Sequence, residues 1–407
     1  MSLSIILYIA LTVWCVPGEP VADVFGVCVR ENSAVLALAD GVNWGHRACL
    51  AARCAVHGCL DYLGHSLFSP SAKIETTLVT QHLMKHDEDY RYKKMRPNPN
   101  NLIVCDILDI FISLLRSFQA AHNLILKEDG LLTTLCVAAV CPLRKPTETG
   151  EEYVVCACNV GDSLAFVFSK DRGVWEITQG NLRRSPYRVL SAGPAEPRFF
   201  SELVTAPPPP FSSGPETGKG GVQRLRKFCS HDIFSMRDMR DALGALGPVD
   251  GQNPELSNLT VSMTMVKPGD IVFLTSDGIT DNFDPVVGKF ALPKRSKPGE
   301  GRPPSLDLPV VEPKQRHELM LLRMEDLLRH GVQESDLPCH SARQLCERLL
   351  EFAFKLTMAK RHILEDPDLY PQTEDTAADQ RSRRRRVGDK LSMVPGKLDH
   401  ASVVAYQ

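Results

Sequence analysis

The residues of this chain best suited to chemistry are aspartates at the ends of short apolar runs. They are Asp40, Asp162, Asp277, Asp281 and Asp399. Asp40-Gly41 follows the run 34–39, and Asp277-Gly278 follows the run 271–276. A carboxylate at the end of a strand is held by a rigid sheet and still points toward solvent. Several such groups on one rim suit Mg²⁺ or Mn²⁺, because these ions prefer oxygen ligands and keep several waters.

Such a set of carboxylates would support phosphoryl chemistry. Two divalent ions at one site can polarise a phosphoryl group and lower the pKa of a bridging water. The alternative is structural, because Asp-Gly is a common turn dipeptide and each pair taken alone is better explained as a turn. The ordered set of strand-end aspartates weakens that alternative without removing it.

The elements that must hold these aspartates follow from the apolar periodicity. Helices are predicted at about 46–63 and 102–126, and a third begins at Ser341, which forms a capping-box pattern with Gln344. The expected apolar stripe of the second helix is Leu108, Phe111, Ile112, Leu115 and Phe118. Strands are predicted at 24–30, 34–39, 131–140, 153–158, 164–168, 259–266, 271–275 and 401–406. This order is not a regular βαβα alternation, so it predicts an α+β fold with largely antiparallel sheets.

Four segments fall outside the predicted helices and strands. Pro-rich stretches near 194–221 and 285–313 are predicted as surface insertions, and 381–390 as a basic loop. The run Arg383–Arg386 is typical of a solvated loop, with nuclear targeting as the alternative. The hydrophobic N-terminal segment 1–18 contains a 12-residue apolar run, which is too short to span a bilayer. A buried first strand or an atypical start is the preferred interpretation of that run, and a signal segment is the alternative.

Composition excludes several classes of protein. The 407 residues carry 47 Lys and Arg against 49 Asp and Glu, and this near-neutral balance argues against a dedicated nucleic-acid binder. Hydrophobic residues make up 43% of the chain, which argues against a wholly disordered protein. The 13 cysteines are odd in number and scattered, which indicates reduced core thiols. Cys49, Cys54 and Cys59 lie near His46 and His57, but their spacing favours a core helix over a zinc site.

Six segments, taken in order, resemble those of the type 2C metal-dependent protein phosphatases. They read LALADGVNWG, GLLTTLCVAAV, NVGDSLAFVF, ALGPVDGQNPEL, GDIVFLTSDGITD and LDHASVVAY. The resemblance implies a single domain over residues 19–407. It also implies a two-layer antiparallel β-sandwich flanked by α-helix pairs, with an α-β-β-α order of layers. A dinuclear Mg²⁺ or Mn²⁺ site would lie at one end of that sandwich.

The resemblance further implies a ligand set for two ions and a third, looser one. The expected metal ligands are Asp23, Asp40, Gly41, Asp162, Asp277, Asp281 and Asp399. Asp40 resembles the carboxylate that bridges the two metals, and Gly41 resembles the residue that offers its backbone carbonyl. Asp40 and Asp277 are the residues expected to carry catalysis. Asp162 and Asp281 match the positions that hold the third ion.

The chain departs from the family pattern at residues that bind phosphate or donate protons. Its first 29 residues contain no Arg or Lys, where the family often carries a phosphate-binding arginine. Val42 stands where many members have a histidine proposed as general acid, Pro248 replaces an acidic residue, and His400 replaces Asn or Asp. His46 or Arg47 could replace the missing acid or clamp, although both are also ordinary first-turn helix residues. The arginines that could flank the site, or lie on the solvated surface, are Arg183, Arg184 and Arg188.

The first functional hypothesis is a metal-dependent serine/threonine protein phosphatase. It would hydrolyse phosphoserine and phosphothreonine by attack of a metal-activated water. The missing arginine and histidine favour the alternative, a weak or inactive pseudophosphatase that serves as a scaffold or binding module. A third hypothesis is a truncated or alternatively started product. The expected partner is a phosphoprotein, with no nucleic acid and no membrane span, and the chain is expected to be a cytoplasmic monomer, with a nuclear location as the alternative.

Overall fold

The computed structural model describes ten stretches of the chain. They are residues 20–42, 45–67, 76–78, 104–143, 146–148, 150–178, 244–294, 308–331, 338–366 and 377–407. The apolar N-terminal run, the Pro-rich stretch 194–221 and the arginines at 183, 184 and 188 lie outside the described residues. None of the described helices is long and apolar enough to cross a membrane.

Fifteen strands and six helices are described. The strands are β1 (Val24–Val29), β2 (Ala34–Ala39), β3 (Thr76–Leu78), β4 (Val104–Asp106), β5 (Leu135–Pro142), β6 (Tyr153–Val160), β7 (Leu164–Ser169), β8 (Gly173–Glu176), β9 (Ala245–Asp250), β10 (Asn253–Glu255), β11 (Thr260–Val266), β12 (Ile271–Thr275), β13 (Leu292–Pro293), β14 (Val310–Val311) and β15 (Val403–Tyr406). The helices are α1 (His46–Ser66), α2 (Ile107–Lys127), α3 (Asp277–Phe283), α4 (Pro313–His330), α5 (Ala342–Glu365) and α6 (Ala377–Met393).

Two antiparallel sheets form the inner layers of the fold. The first has the strand order β1-β2-β5-β6-β11, and the second has the order β15-β12-β7-β8. Leu36 and Leu38 of β2 pack in one buried cluster with Val167 and Leu274 of the second sheet. Strands buried on both faces are apolar without alternation, which explains why β2 reads AVLALA. The two sheets therefore face each other across a shared core.

Helices cover the outer face of each sheet. Small residues such as Ala51 and Ala55 let α1 approach the first sheet closely, and α2 packs beside it through Leu114 and Phe118. On the other side, α4 and α5 cover the second sheet, and Phe166 of that sheet lies in their shared cluster. The layers thus run α-β-β-α, and the predicted α+β sandwich is confirmed.

The predicted helices and strands are found with shifted ends, and one predicted residue faces the wrong way. The helix predicted at 102–126 spans Ile107–Lys127, and the strand predicted at 131–140 begins at Leu135. Leu108 was expected in the buried stripe but is 40% exposed. The buried face of α2 instead runs through Ile110, Phe111, Leu114 and Phe118. The helix predicted from Ser341 is confirmed, because the Ser341 side chain accepts a hydrogen bond from the Gln344 backbone N–H at 3.3 Å.

Two further segments differ from the sequence prediction. The predicted basic loop at 381–390 is wrong, because these residues lie inside α6. Arginine has a high helix propensity, and a run of exposed charges does not by itself prevent a helix. The predicted insertion at 285–313 lies partly outside the described residues, and its described N-terminal part is packed, with Val287 and Ala291 buried.

Candidate metal centre

Strand-end aspartates meet at one end of the sandwich. Asp40 follows β2, Asp162 lies between β6 and β7, and Asp277 follows β12 as the first residue of α3. Asp399 precedes β15, and Asp23 precedes β1. Because these elements belong to both sheets, the centre is assembled from segments far apart in the sequence.

Two threonines that the sequence analysis did not single out hold the backbone of Asp40. The Asp40 N–H donates to Thr134 Oγ1 at 3.0 Å, and the Thr134 N–H donates to the Asp40 carbonyl at 2.8 Å. Thr133 Oγ1 also donates to the Asp40 carbonyl, at 2.8 Å. The end of β2 is therefore fixed, and the Asp40 carboxylate is placed by the sheet rather than by a mobile loop.

Gly41 lies where no side chain fits. A Cβ atom added at this position would lie 2.6 Å from the Ala48 carbonyl oxygen of α1 and 3.0 Å from the Ala22 Cβ. The absent side chain lets α1 begin directly beside the end of β2. This close approach explains the Asp-Gly pair here in packing terms, in addition to any role of the Gly41 carbonyl as a ligand.

The beginning of α3 is fastened to the segment before β15. Ser276 Oγ accepts a hydrogen bond from the Ser402 N–H at 2.9 Å, and the Ser276 N–H donates to the Ser402 carbonyl at 3.0 Å. Gly278 lies so close to the His400 carbonyl that a Cβ atom would collide with it. These contacts bring Asp277 and Asp399 to the same place.

Lys397 lies among three of the carboxylates, and the sequence analysis did not identify it. Its Nζ atom binds the Asp277 carboxylate and lies 2.9 Å from Asp281 Oδ2 and 3.1 Å from Asp399 Oδ2. Only 15% of the Lys397 side chain is exposed. The residues predicted as ligands on this side of the centre therefore converge on an ammonium group of the chain itself.

The Asn282 side chain holds the backbone of Lys397. The Lys397 N–H donates to Asn282 Oδ1 at 2.9 Å, and Asn282 Nδ2 donates to the Lys397 carbonyl at 3.1 Å. Asn282 Nδ2 also donates to the Gly278 carbonyl at 2.7 Å. The preceding Gly396 has φ +91°, a conformation that favours glycine. The turn and the amide together direct the Lys397 side chain inward.

Asp23 is buried, with 7% exposure. Within the described residues, neither of its carboxylate oxygens has a hydrogen-bond partner at normal geometry. Burial raises the pKa of Asp23, and side-chain interactions with Asp40, Ser276 and Ser402, together with the charge of His400, offset part of that increase. A buried carboxylate whose neighbours fall short of normal hydrogen-bond geometry favours a proton or a cation beside it.

The centre carries an excess of negative charge. Burial, together with the carboxylates of Asp23, Asp277, Asp399 and Asp162, raises the pKa of Asp40 well above its ordinary value. Burial also raises the pKa values of Asp277 and Asp281, and Lys397 opposes both increases. Lys397 and His400 are outnumbered by these carboxylates, so the centre favours uptake of further positive charge.

The Lys397 ammonium responds to the same field. Burial alone would lower the pKa of Lys397, but the carboxylates of Asp281, Asp277 and Asp399 raise it above the ordinary value. Lys397 is therefore charged throughout the physiological pH range.

The two sides of the centre differ in how they fit a divalent ion. On one side, the buried oxygens of Asp23 next to Asp40 are hard donors that suit Mg²⁺ or Mn²⁺. On the other side, oxygens of Asp277, Asp281 and Asp399 already contact the ammonium of Lys397. Across the described stretches, no group of three or more His, Cys, Asp or Glu side chains forms a ready metal-ligand cluster. The residues thus fit an ion beside Asp23 and Asp40, where the buried Asp277 Oδ1 is a further oxygen without a partner in the described residues, and they do not fit one at the position of Lys397 Nζ.

Other predicted site residues have different surroundings. Arg47 pairs with Asp129 Oδ1 at 2.7 Å on the surface, which does not support a role as phosphate clamp. Cys49, Cys54 and Cys59 are buried in α1, as a core helix predicts, and the Cys59 thiol donates to Ser117 Oγ at 3.2 Å.

An antiparallel α-β-β-α sandwich with aspartates gathered at one end is the architecture expected of a type 2C phosphatase-like domain. The chain is 36% identical to the PP2C-like domain-containing protein CG9801 of Drosophila melanogaster over 96% of its own length. The chain is thus similar over nearly its whole length to a PP2C-like domain-containing protein, and its fold is that of a PP2C-like domain. It spans 57% of that relative's length, and no protein-family model matches it.

Similar solved structures include further phosphatases. The S. agalactiae serine/threonine phosphatase is 13% identical, with 98% of this chain and 97% of that chain covered and a TM-score of 0.41. The photosystem II phosphatase PBCP is 12% identical, with 98% and 96% covered and a TM-score of 0.40.

Proposed function

We propose that the acidic centre binds a divalent cation and that the chain hydrolyses phosphoserine and phosphothreonine in proteins. The supporting observation is the convergence of strand-end carboxylates on one end of the sandwich, with buried Asp23 oxygens that lack a partner beside Asp40. Oxygen donors of this kind are the ligands that Mg²⁺ and Mn²⁺ prefer.

A bound divalent ion would supply charge that polarises a phosphoryl oxygen and acidifies a water molecule. The residues suited to hold it are Asp23, Asp40 and the carbonyl of Gly41. Asp40 can do so with a fixed geometry, because Thr133 and Thr134 hold its backbone. The excess negative charge of the centre disfavours an approaching phosphate, so substrate binding depends on the cation.

A second candidate function is a pseudophosphatase that binds proteins without turnover. Lys397 favours it, because an ammonium among Asp277, Asp281 and Asp399 occupies oxygens that a dinuclear site would need. The sequence departures at Val42 and in the first 29 residues point the same way.

Phosphate release from a phosphothreonine peptide separates the two functions. The chain is stripped with EDTA and assayed with and without Mn²⁺ or Mg²⁺, beside Asp40→Asn and the matched surface variant Asp326→Asn. Asp326 is 76% exposed, lies in α4 and pairs with His330 on the surface. Metal-dependent release that Asp40→Asn abolishes and Asp326→Asn retains would support the phosphatase. Tight Mn²⁺ binding without release would support the pseudophosphatase.

The expected monomeric state and intracellular location stay predictions. The arginine run 383–386 lies on α6, where Arg384, Arg385 and Arg386 are exposed. The location in cells of a variant with these four arginines replaced would test a targeting role for the run.

A further inference from the structure

We propose that Lys397 is a built-in cation that takes the place of a divalent ion among Asp277, Asp281 and Asp399. This inference rests on the proposed function, in which the acidic centre is a cation site. It adds that the centre is mixed, with an ammonium on one side and room for a metal ion on the Asp23 side.

The ammonium contacts carboxylate oxygens of the kind that would bind a divalent ion. A lysine ammonium has three N–H donors and no acceptor, and three separate carboxylates surround Lys397 Nζ. A divalent Mg²⁺ ion requires oxygens at about 2.0–2.1 Å in a near-octahedral arrangement. The Asp281 and Asp399 oxygens face Nζ at 2.9 and 3.1 Å, so ammonium and metal would compete for the same atoms.

The position of Lys397 is built into the fold. Asn282 is 2% exposed and binds both the N–H and the carbonyl of Lys397. The Gly396 N–H donates to the Val287 carbonyl at 3.0 Å, which fastens the turn to the segment after α3. A surface lysine that met the carboxylates by chance would need none of these contacts.

The ammonium serves only one side of the centre. Among the described residues, Lys397 forms ion pairs with Asp277, Asp281 and Asp399, and it forms none with Asp23 or Asp40. Both Asp23 oxygens, together with Asp277 Oδ1, are therefore left without a hydrogen-bond partner of normal geometry among the described residues. The proposed centre therefore holds one divalent ion beside Asp23 and Asp40, next to the fixed ammonium of Lys397.

Calorimetric titration of Mn²⁺ into the EDTA-stripped chain tests the proposal. Lys397→Met removes the charge and keeps much of the side-chain volume, Lys397→Arg keeps a charge, and Lys355→Met is the matched control. Lys355 pairs with Glu351 on the surface, with 42% of its side chain exposed. We expect Lys397→Met to bind an additional Mn²⁺ ion, or to bind Mn²⁺ at least about tenfold more tightly, because a nearby positive charge is gone. Lys397→Arg and Lys355→Met should titrate like the wild type.

Equal stoichiometry and equal affinity of Lys397→Met and the wild type would overturn the proposal. The titration does not measure phosphate release, so it gives an answer even if the chain has no phosphatase activity. A failure of the Lys397 proposal is therefore distinguishable from a failure of the phosphatase proposal.

If Lys397→Met does not fold, reductive methylation of the wild type replaces the titration, with the modified lysines identified by mass spectrometry. Slow methylation of Lys397, both with and without Mn²⁺, would support a resident ammonium. Methylation that Mn²⁺ accelerates would mean that the metal displaces Lys397, which overturns the proposal.

Discussion

Replacement of Asn282 by alanine tests whether the amide clamp holds the Lys397 turn. The change removes three hydrogen bonds, with lengths of 2.7, 3.1 and 2.9 Å, from a side chain that is 2% exposed. A buried hydrogen bond contributes about 1 kcal/mol net to stability. We therefore expect Asn282→Ala to lower the free energy of unfolding by about 3 kcal/mol, as three such bonds predict.

Urea unfolding in EDTA, followed by tryptophan fluorescence, measures this loss as a shift of the midpoint at constant slope. Asn258→Ala is the matched control, because Asn258 also clamps a backbone, through two 3.1 Å hydrogen bonds with Gly161. Asn258 is half-buried and makes two of these hydrogen bonds rather than three, so its loss should amount to about 1–2 kcal/mol. A cost for Asn282→Ala no larger than that of Asn258→Ala would refute the clamp.

Three further outcomes follow from the geometry. Gly41→Ala should destabilise the fold by about 1–3 kcal/mol in urea, because its Cβ would lie 2.6 Å from the Ala48 carbonyl oxygen, and unchanged stability would contradict this packing. The folded-state pKa of Asp40 is raised, so the folded chain binds more protons than the unfolded chain above pH 3.8. Stability in EDTA should therefore rise as the pH falls from neutral toward 3.8. Asp40→Asn should reduce that rise, and equal slopes for wild type and variant would contradict the argument. Burial raises the pKa of the Cys59 thiol to about 12, so iodoacetamide at pH 8 should spare it in the folded chain, as judged by mass spectrometry beside half-buried Cys28.

The sandwich could be predicted from the sequence because apolar periodicity is a local signal. Runs such as 34–39 and 271–275 are apolar throughout, and each coincides with a strand of the structure. The aspartates that follow such runs could be predicted as candidate site residues for the same reason. Their convergence could be expected only from the resemblance, because nothing local shows that two sheets end at one place.

The α4 helix was missed although its signal is in the sequence. Glu312 and Gln315 form a capping box around Pro313 at the first helical position. The Pro-rich stretch that precedes the capping box has the composition of a loop, which obscures this helix signal.

Lys397 could not be predicted from its neighbours. Two residues before Asp399, a lysine is typically a solvated side chain. Its inward direction depends on Gly396 and on Asn282, which lies 115 positions earlier in the chain. A residue whose role is decided by such distant contacts gives no local signal.

The pairing of β15 with β12 completes the acidic centre late along the chain. Asp277 and Asp281 precede Lys397 by 120 and 116 positions, so they are synthesised well before their ammonium partner. Until the segment 397–406 docks, these two carboxylates lie close together without it. The docking segment brings the negative charge of Asp399 and the positive charge of Lys397 together, so closing the sheet adds no net charge to the centre. The segment that leads into β15 thus carries its own counter-ion, and its docking is spared the repulsion that a lone carboxylate would meet.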